Sequence, residues 1–324
     1  MKRKKIALTI GDPAGVGPEI TLKALLAEGI RETCRPLVIG DSVVIREAIR
    51  QMDIPLDAGD LDMIGTGEVK ERDFAKGKAT REGGIASVSY IRKAVELAMH
   101  GVVDAIVTAP ITKASLKMAG LPWPGHTEML AEMTGTREFA MMLCGGPLKV
   151  VLSTIHVPLR EVPRLITTQL VLGTIALAVR AGEMLGLETP RIAVAGLNPH
   201  AGEAGMFGAE ETEAIAPAVQ EAQARGMAVS GPLPADTLFH RAYKGDFDIV
   251  VCMYHDQGLI PLKMIAFDTG VNVTVGLPIV RTSPDHGTAY DIAWQGVANP
   301  SSMTEAIRLA TQLRRCTCSS KDSH

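Results

Sequence analysis

The sequence predicts an α/β protein built on a mainly parallel sheet, and three observations point there. Short β-branched apolar runs, each bounded by Gly, Pro, Asn or Asp, alternate with longer segments of helical character. Five polar clusters follow directly on apolar runs, as loops at one rim of a parallel sheet would. Of the 324 residues, 46% are apolar and only 4% aromatic, so the core rests on Val, Ile, Leu, Ala and Met, which suits strands covered by helices.

Strands are expected at Lys5–Ile10, Pro36–Ile39, Ala105–Thr108, Lys149–Ser153, Arg191–Ala195, Ile249–Met253 and Asn272–Val275. Helices are expected at Gly17–Ala27, Val43–Met52, Gly83–His100, Thr168–Gly186, Ala209–Arg225 and Ser301–Leu313. There is no internal repeat and no low-complexity linker, so composition marks no domain boundary.

A net charge of −3 with no basic stripe argues against nucleic acid as a partner. The basic start, Met1 to Lys5, is followed by an apolar run of only Ile6 to Ile10, too short for a secretion signal. No stretch approaches the ~20 apolar residues that span a bilayer, so no membrane association and a cytoplasmic location are expected. Cys144 and Cys252 lie in apolar runs and read as reduced core residues. Cys316 and Cys318 form a lone C-x-C in a polar tail, short of the about four ligands a structural zinc site needs.

The polar clusters supply the chemistry. Gly11-Asp-Pro-Ala-Gly-Val-Gly-Pro-Glu19 follows the first strand; its glycines would let backbone approach an anion at a helix start, or simply make a tight strand–helix turn. His156, His200 and His255 each follow a strand. Three imidazoles with an open position describe a divalent-metal site, although each alone reads better as a hydrogen-bonded structural histidine. His126 and Thr127 form a short polar cluster that suits a phosphate or carboxylate, or a helix cap at Thr127. Lys263, inside an apolar stretch, and Arg281 flank Asn272; a point charge and a planar fork suit an anionic substrate, while Lys263 also reads as a snorkelling surface residue. Asp236 and Asp256 are candidates to accept a proton or to orient a ligand histidine. In His286-Gly-Thr-Ala-Tyr-Asp291, Asp291 could accept ribose hydroxyls and repel a 2′-phosphate, favouring NAD over NADP, though a helix-entry loop accounts for the string as well.

Six strings, at 11–19, 124–128, 198–203, 254–258, 270–278 and 281–289, together resemble the 4-hydroxythreonine-4-phosphate dehydrogenase family, in order, from about residue 6 to residue 313. The first and last also resemble the wider isocitrate and isopropylmalate dehydrogenase group. The resemblance implies that group's two-domain fold, with residues 1–125 and 270–315 forming a cofactor-side domain, 126–269 a metal, substrate and dimerisation domain, 316–324 a flexible tail, and the active site in the interdomain cleft. It implies a homodimer with sites shared across the interface. It assigns His156, His200 and His255 to a divalent metal, with Zn2+ first and Mg2+, Co2+ or Mn2+ as alternatives. It assigns His126, Thr127, Lys263, Asn272 and Arg281 to the substrate, and the loop of Asp285, His286, Gly287, Thr288 and Asp291 to NAD or NADP.

The implied reaction oxidises the β-hydroxyl of 4-phosphohydroxy-L-threonine and then releases CO2, giving 3-amino-1-hydroxyacetone 1-phosphate for pyridoxal phosphate synthesis. Asp236, Asp256 and Lys263 are the candidates for the proton. A related group that oxidises D-threonate or D-erythronate 4-phosphate carries similar strings, and no residue here is assigned to tell the two substrates apart. A non-catalytic metabolite-binding protein on the same scaffold would show a broken ligand set, whereas every implied ligand is present. A hydrolase would leave the 286–291 loop without a task.

Overall fold

The structure, a computed structural model, describes residues 3–71 and 74–315. The chain separates into two compact units, Met1–Arg137 with Leu277–Leu313, and Glu138–Gly276 joined by Arg314. Both crossings fall later than the expected residues 126 and 270. The helix that starts at His126 packs on a long helix of the first unit, and the strand holding Asn272 pairs inside the second. The expected tail, with Cys316 and Cys318, lies outside the described residues.

In the first unit the chain runs through β1 (Lys4–Thr9), α1 (Gly17–Ala24), α2 (Ile30–Thr33), β2 (Cys34–Ile39), α3 (Ser42–Gln51), β3 (Met63–Ile64), α4 (Arg81–Met99), β4 (Ala105–Thr108), α5 (Lys113–Met118) and α6 (His126–Thr134). The second unit holds β5 (Ala140–Gly145), β6 (Leu148–Leu152), α7 (Val162–Leu165), α8 (Thr168–Met184), β7 (Ile192–Ala195), α9 (Ala216–Ala224), β8 (Val229–Leu233), α10 (Ala235–Tyr243), β9 (Ile249–Cys252), α11 (His255–Ala266) and β10 (Val271–Val275). β11 (Val280–Pro284) and α12 (Ser301–Gln312) return to the first.

The first unit's strands lie in the order β3-β2-β1-β4-β11 and every pairing is parallel. The second unit's order is β10-β5-β6-β9-β7-β8; β5 pairs antiparallel with both neighbours and the rest are parallel. The fold class is therefore as expected, α/β and mainly parallel. The seven expected strands all form, within a residue or two of their ends.

Four strands were not expected, each for an identifiable reason. β3 is two residues long, and β8 contains Gly231 and Pro232, tolerable at the end of a sheet order. β11 is interrupted in sequence by Arg281 and Pro284. β5 and β6 form a hairpin around Gly146 and Pro147, with Gly146 at φ 52°, a two-residue turn that the Gly-Gly-Pro string does signal. The expected helix over 209–225 starts instead as a π turn, Glu211–Ile215, before α9.

α4 shows how sequence fixes an element. Thr80 caps it by accepting the Gly83 N–H at 2.9 Å, worth about 1 kcal/mol. Its buried face includes Ala86, Tyr90, Ile91, Ala94 and Ala98. The pair Gly83-Gly84 lets it lie directly on neighbouring backbone: a Cβ on Gly84 would stand 2.2 Å from the Ser115 carbonyl oxygen. In the second unit Leu143, Val150, Ala193, Val250, Cys252, Leu259 and Leu262 form the core between the strands and α11. Cys34, Cys144 and Cys252 are unpaired, and burial pushes the Cys144 thiol up to about 12. No single helix among the described residues is long and apolar enough to cross a membrane.

Gly84→Ala is expected to destabilise the protein by roughly 1–3 kcal/mol through overpacking against α5. Urea unfolding checks it; an unchanged midpoint would mean that α4 and α5 are not held in close contact.

Candidate active site

The order β6-β9-β7 sets three loops side by side. Leu152 stands opposite Cys252 and Val194 opposite Val251, so the strands end together at one edge. His156, His255 and His200 follow those three strand ends, His255 as the first residue of α11. The His156 and His255 rings lie with centroids 5.6 Å apart, tilted by 40°. His255 Nδ1 is 2.7 Å from Asp256 Oδ1, and His200 Nδ1 is 3.1 Å from Glu203 Oε2. A carboxylate on Nδ1 fixes ring and tautomer and leaves Nε2 as the ligating atom, the usual arrangement of metal-binding histidines.

The structure brings His156 and His255 together and leaves His200 apart. No group of three or more His, Cys, Asp or Glu side chains gathers into a metal cage among the described residues. The donor chemistry nevertheless fits a divalent cation. Two rings 5.6 Å apart can flank one ion at the ~2.0–2.1 Å of a Zn–N bond. The third imidazole rides on the adjoining loop, with its Nδ1 already engaged.

The substrate candidates divide between the units. In the second, Asn272 lies on β10 opposite Leu143, half-buried, and its Oδ1 is shielded from solvent without a hydrogen-bond partner among the described residues. Lys263 lies in the last turn of α11, half-buried, with Nζ 6.0 Å from the Phe267 ring centroid. In the first unit His126 and Thr127 open α6, whose cap is Gly125, so Thr127 is a buried first-turn residue and not the cap. Arg281 is buried on β11 beside β4, and its Nε and Nη2 donate to Thr108 Oγ1 at 3.1 and 2.8 Å. Burial lowers its pKa to about 9, which still leaves it cationic at neutral pH. His126 Nε2 is buried without a partner among the described residues. Burial, and secondly the Arg281 charge, hold the imidazole well below its ordinary range, so it is neutral. An unsatisfied buried nitrogen next to a buried cation is a costly arrangement that an anionic ligand with a donor group would relieve.

The Gly-rich turn uses its glycines to let chain approach chain. Gly11, at φ 68°, would carry a Cβ 2.3 Å from the Pro110 carbonyl oxygen, and one on Gly15 would meet Thr288 at 3.0 Å. Asp12 is the hub. Its Oδ2 accepts from Ser115 Oγ at 2.8 Å and Tyr290 Oη at 2.7 Å, and its Oδ1 accepts the Ala14 N–H at 2.9 Å. Glu19 likewise takes the Ala298 N–H at 2.8 Å. The 286–298 string is thus fastened to the 11–19 string. Thr288 is buried and accepts the Val16 N–H through its carbonyl, while His286, Gly287 and Asp291 are exposed and Asp285 is half-buried. Trp294 lies under the Lys76 ammonium at 4.5 Å from the ring centroid and donates Nε1–H to the Pro13 carbonyl at 3.0 Å. Next to the turn a cavity of about 470 Å3 is lined by Pro13, Ala14, Val69, Lys70, Phe74 and Thr80, among others.

Asp236 is exposed in the first turn of α10. Asp256 is engaged by His255, which suits an orienting group better than a free base. Sequence reading missed Asp12 and Thr108. Asp12 carried a signal, its place between the turn's first glycine and a proline, whereas Thr108 meets Arg281 from 173 residues away.

Comparison with known proteins shows the family. The model of the pyridoxal phosphate biosynthetic protein PdxA family matches residues 32–310. The 4-hydroxythreonine-4-phosphate dehydrogenase of Desulforapulum autotrophicum is 49% identical over 322 residues, 95% of each chain. The D-threonate 4-phosphate dehydrogenase of Cupriavidus necator is 46% identical over 95% of this chain and 96% of its own. The crystal structure of a 4-hydroxythreonine-4-phosphate dehydrogenase from Burkholderia phymatum superposes with a TM-score of 0.86 at 45% identity, covering 97% of this chain and 100% of that one.

The neutral His126 gives a pH signature. Above the ordinary value of 6.5 the ring is neutral folded or unfolded; below it the unfolded chain takes up a proton that the folded chain refuses, so stability falls on acidification until the depressed folded value is reached. His126→Gln is expected to flatten that part of the curve in thermal melts between about pH 7 and pH 5. An unaltered slope would show that the ring protonates in the folded protein.

Proposed function

The chain belongs to the PdxA family of dehydrogenases, and from that membership we propose that it oxidises 4-phosphohydroxy-L-threonine at its β-hydroxyl with NAD, or NADP, and releases CO2 to give 3-amino-1-hydroxyacetone 1-phosphate. The observation that carries the reading is the paired His156 and His255 at the edge where β6, β9 and β7 end together, with His200 on the adjoining loop.

The chain's residues divide the work. His156, His200 and His255 hold a divalent cation, Zn2+ by their chemistry, with Co2+, Mn2+ or Mg2+ as alternatives. When bound, the cation lowers the pKa of the substrate hydroxyl and polarises the forming carbonyl, while the nicotinamide accepts the hydride. Arg281 offers a desolvated fork to a substrate anion, with Thr108 fixing its plane. His126 and Thr127, at the start of α6, and Lys263 and Asn272 complete the substrate contacts. Asp256 orients His255, which leaves Lys263 and Asp236 as candidates to handle the hydroxyl proton. The loop of Asp285, His286, Gly287, Thr288 and Asp291 holds the cofactor; exposed Asp291 suits ribose hydroxyls and opposes a 2′-phosphate.

A homodimer fits a specific surface. Ile260, Met264 and Phe267, at spacings of four and three along one face of α11, are 60%, 82% and 77% exposed. Large exposed side chains in a row mark an association face. This helix begins at His255. A second reading, oxidation of D-threonate 4-phosphate, is supported by relatives of that name at 44–46% identity.

Purified, metal-loaded protein should form NADH with 4-phosphohydroxy-L-threonine at much higher kcat/KM than with D-threonate 4-phosphate. His255→Ala should lower kcat/KM by about a hundredfold or more. The reverse substrate preference would transfer the protein to sugar-acid oxidation with the same machinery, and turnover of neither would leave only the scaffold. Met264→Glu with Phe267→Glu should convert dimer to monomer in analytical ultracentrifugation; a wild type that sediments as a monomer would remove the interface proposal.

A further inference from the structure

We propose that Glu211 is a positioning residue for His200, and through it a determinant of divalent-cation affinity. This rests on the reading of His200 as a metal ligand. The backbone from His200 to Ala204 runs through consecutive left-handed conformations, with φ of 53°, 54°, 76°, 42° and 56°. Only one of the five residues, Gly202, is a glycine. L-residues avoid that region, so a run of them persists only where surrounding contacts impose it, and such enforced turns concentrate at functional sites.

One buried carboxylate gathers the residues that lead into this run and lies against it. Glu211 is 3% exposed, at the start of the π turn before α9. Its Oε1 accepts the backbone N–H groups of Leu197 and Asn198, both at 2.7 Å. Its Oε2 accepts Asn198 Nδ2 at 2.9 Å, and Glu210 takes the same amide at 2.7 Å. The carboxylate also closes over the turn: a Cβ on Gly202 would stand 2.6 Å from Glu211 Oε2. The two residues before Pro199 and His200 are therefore pinned to a buried anion. Glu203, inside the turn, then reaches back to His200 Nδ1. The ring is exposed and meets the Phe207 ring edge-on at 6.1 Å, so its position depends on the backbone turn that carries both residues. Asn198 is the lever, because its backbone and its amide are both held by Glu211.

Glu211→Gln tests the arrangement with little change of volume. The amide keeps an oxygen for the two backbone donors but sets an NH2 against the Asn198 NH2. Zn2+ affinity is measured by competition with a chromophoric chelator in wild type, E211Q, H200A and the double variant, with circular dichroism as the check on folding. E211Q should bind Zn2+ at least about tenfold more weakly, the size expected for a group that orients a ligand. In the double variant its effect should vanish, because the ligand it positions is already gone. Asn198→Ala, which removes the amide alone, should weaken Zn2+ in the same sense, and it carries the test if E211Q does not fold. Wild-type affinity in a folded E211Q or N198A, or a loss that adds in full to that of H200A, would overturn the proposal while leaving the metal site standing. A wild type with no Zn2+ affinity, or H200A binding as tightly as wild type, would overturn the ligand reading itself.

Discussion

Parallel pairing is the constraint on which the functional surface of each unit depends. Neighbouring parallel strands must end at the same edge, so whatever follows them is gathered there. In the second unit, Leu152 opposite Cys252 and Val194 opposite Val251 bring His156, His255 and His200 onto adjoining loops, although about 100 residues of sequence separate the first from the last. In the first unit, β11 beside β4 puts the Arg281 guanidinium on the Thr108 hydroxyl. A one-residue slip of β11 against β4 would turn Arg281 to the opposite face.

Buried charge does the second part of the organisation. Asp12 and Glu211 both sit at strand-to-helix connections and both collect donors that would otherwise be orphaned. Asp12 takes Ser115, Tyr290 and the Ala14 N–H; Glu211 takes two backbone N–H groups and an amide. A carboxylate out of water is tolerated only when its lone pairs are filled, so each of these hubs specifies one loop conformation and penalises others. Arg281 and His126 are the contrasting case. One is a cation out of water, and the other is an imidazole forced neutral with its Nε2 unfilled among the described residues.

The sequence made the scaffold largely legible because the parallel strands are short, apolar and punctuated. Every expected strand appears, and the clusters just past them are where the three histidines lie. What stayed hidden depends on pairing over distance. β11 is masked by Arg281, whose buried guanidinium donates two N–H groups to Thr108, 173 residues away in sequence. Glu211 looks like one of several acids in a helical stretch, and its role exists only once the 197–204 turn folds over it. The glycines of the first turn left ligand contact and a tight strand–helix turn both open, and in the structure Pro110 and Thr288 pack closely against them. The late position of the unit crossings has the same origin, since α6 belongs with α4 and β10 with β5.

The placement of Trp294 has an optical consequence. The chain holds two tryptophans, and this one is 5% exposed, capped by the Lys76 ammonium and bonded through its indole N–H to Pro13. A nearby positive charge and a carbonyl acceptor both perturb the excited state of an indole. The chromophore therefore sits at the junction of the 11–19 turn, the 286–298 loop and the segment carrying Phe74, whose ring meets it edge-on at 5.2 Å. With Trp123 silenced, the emission of the whole protein becomes a local spectroscopic gauge of that junction, sensitive to a shift of either loop without any added dye.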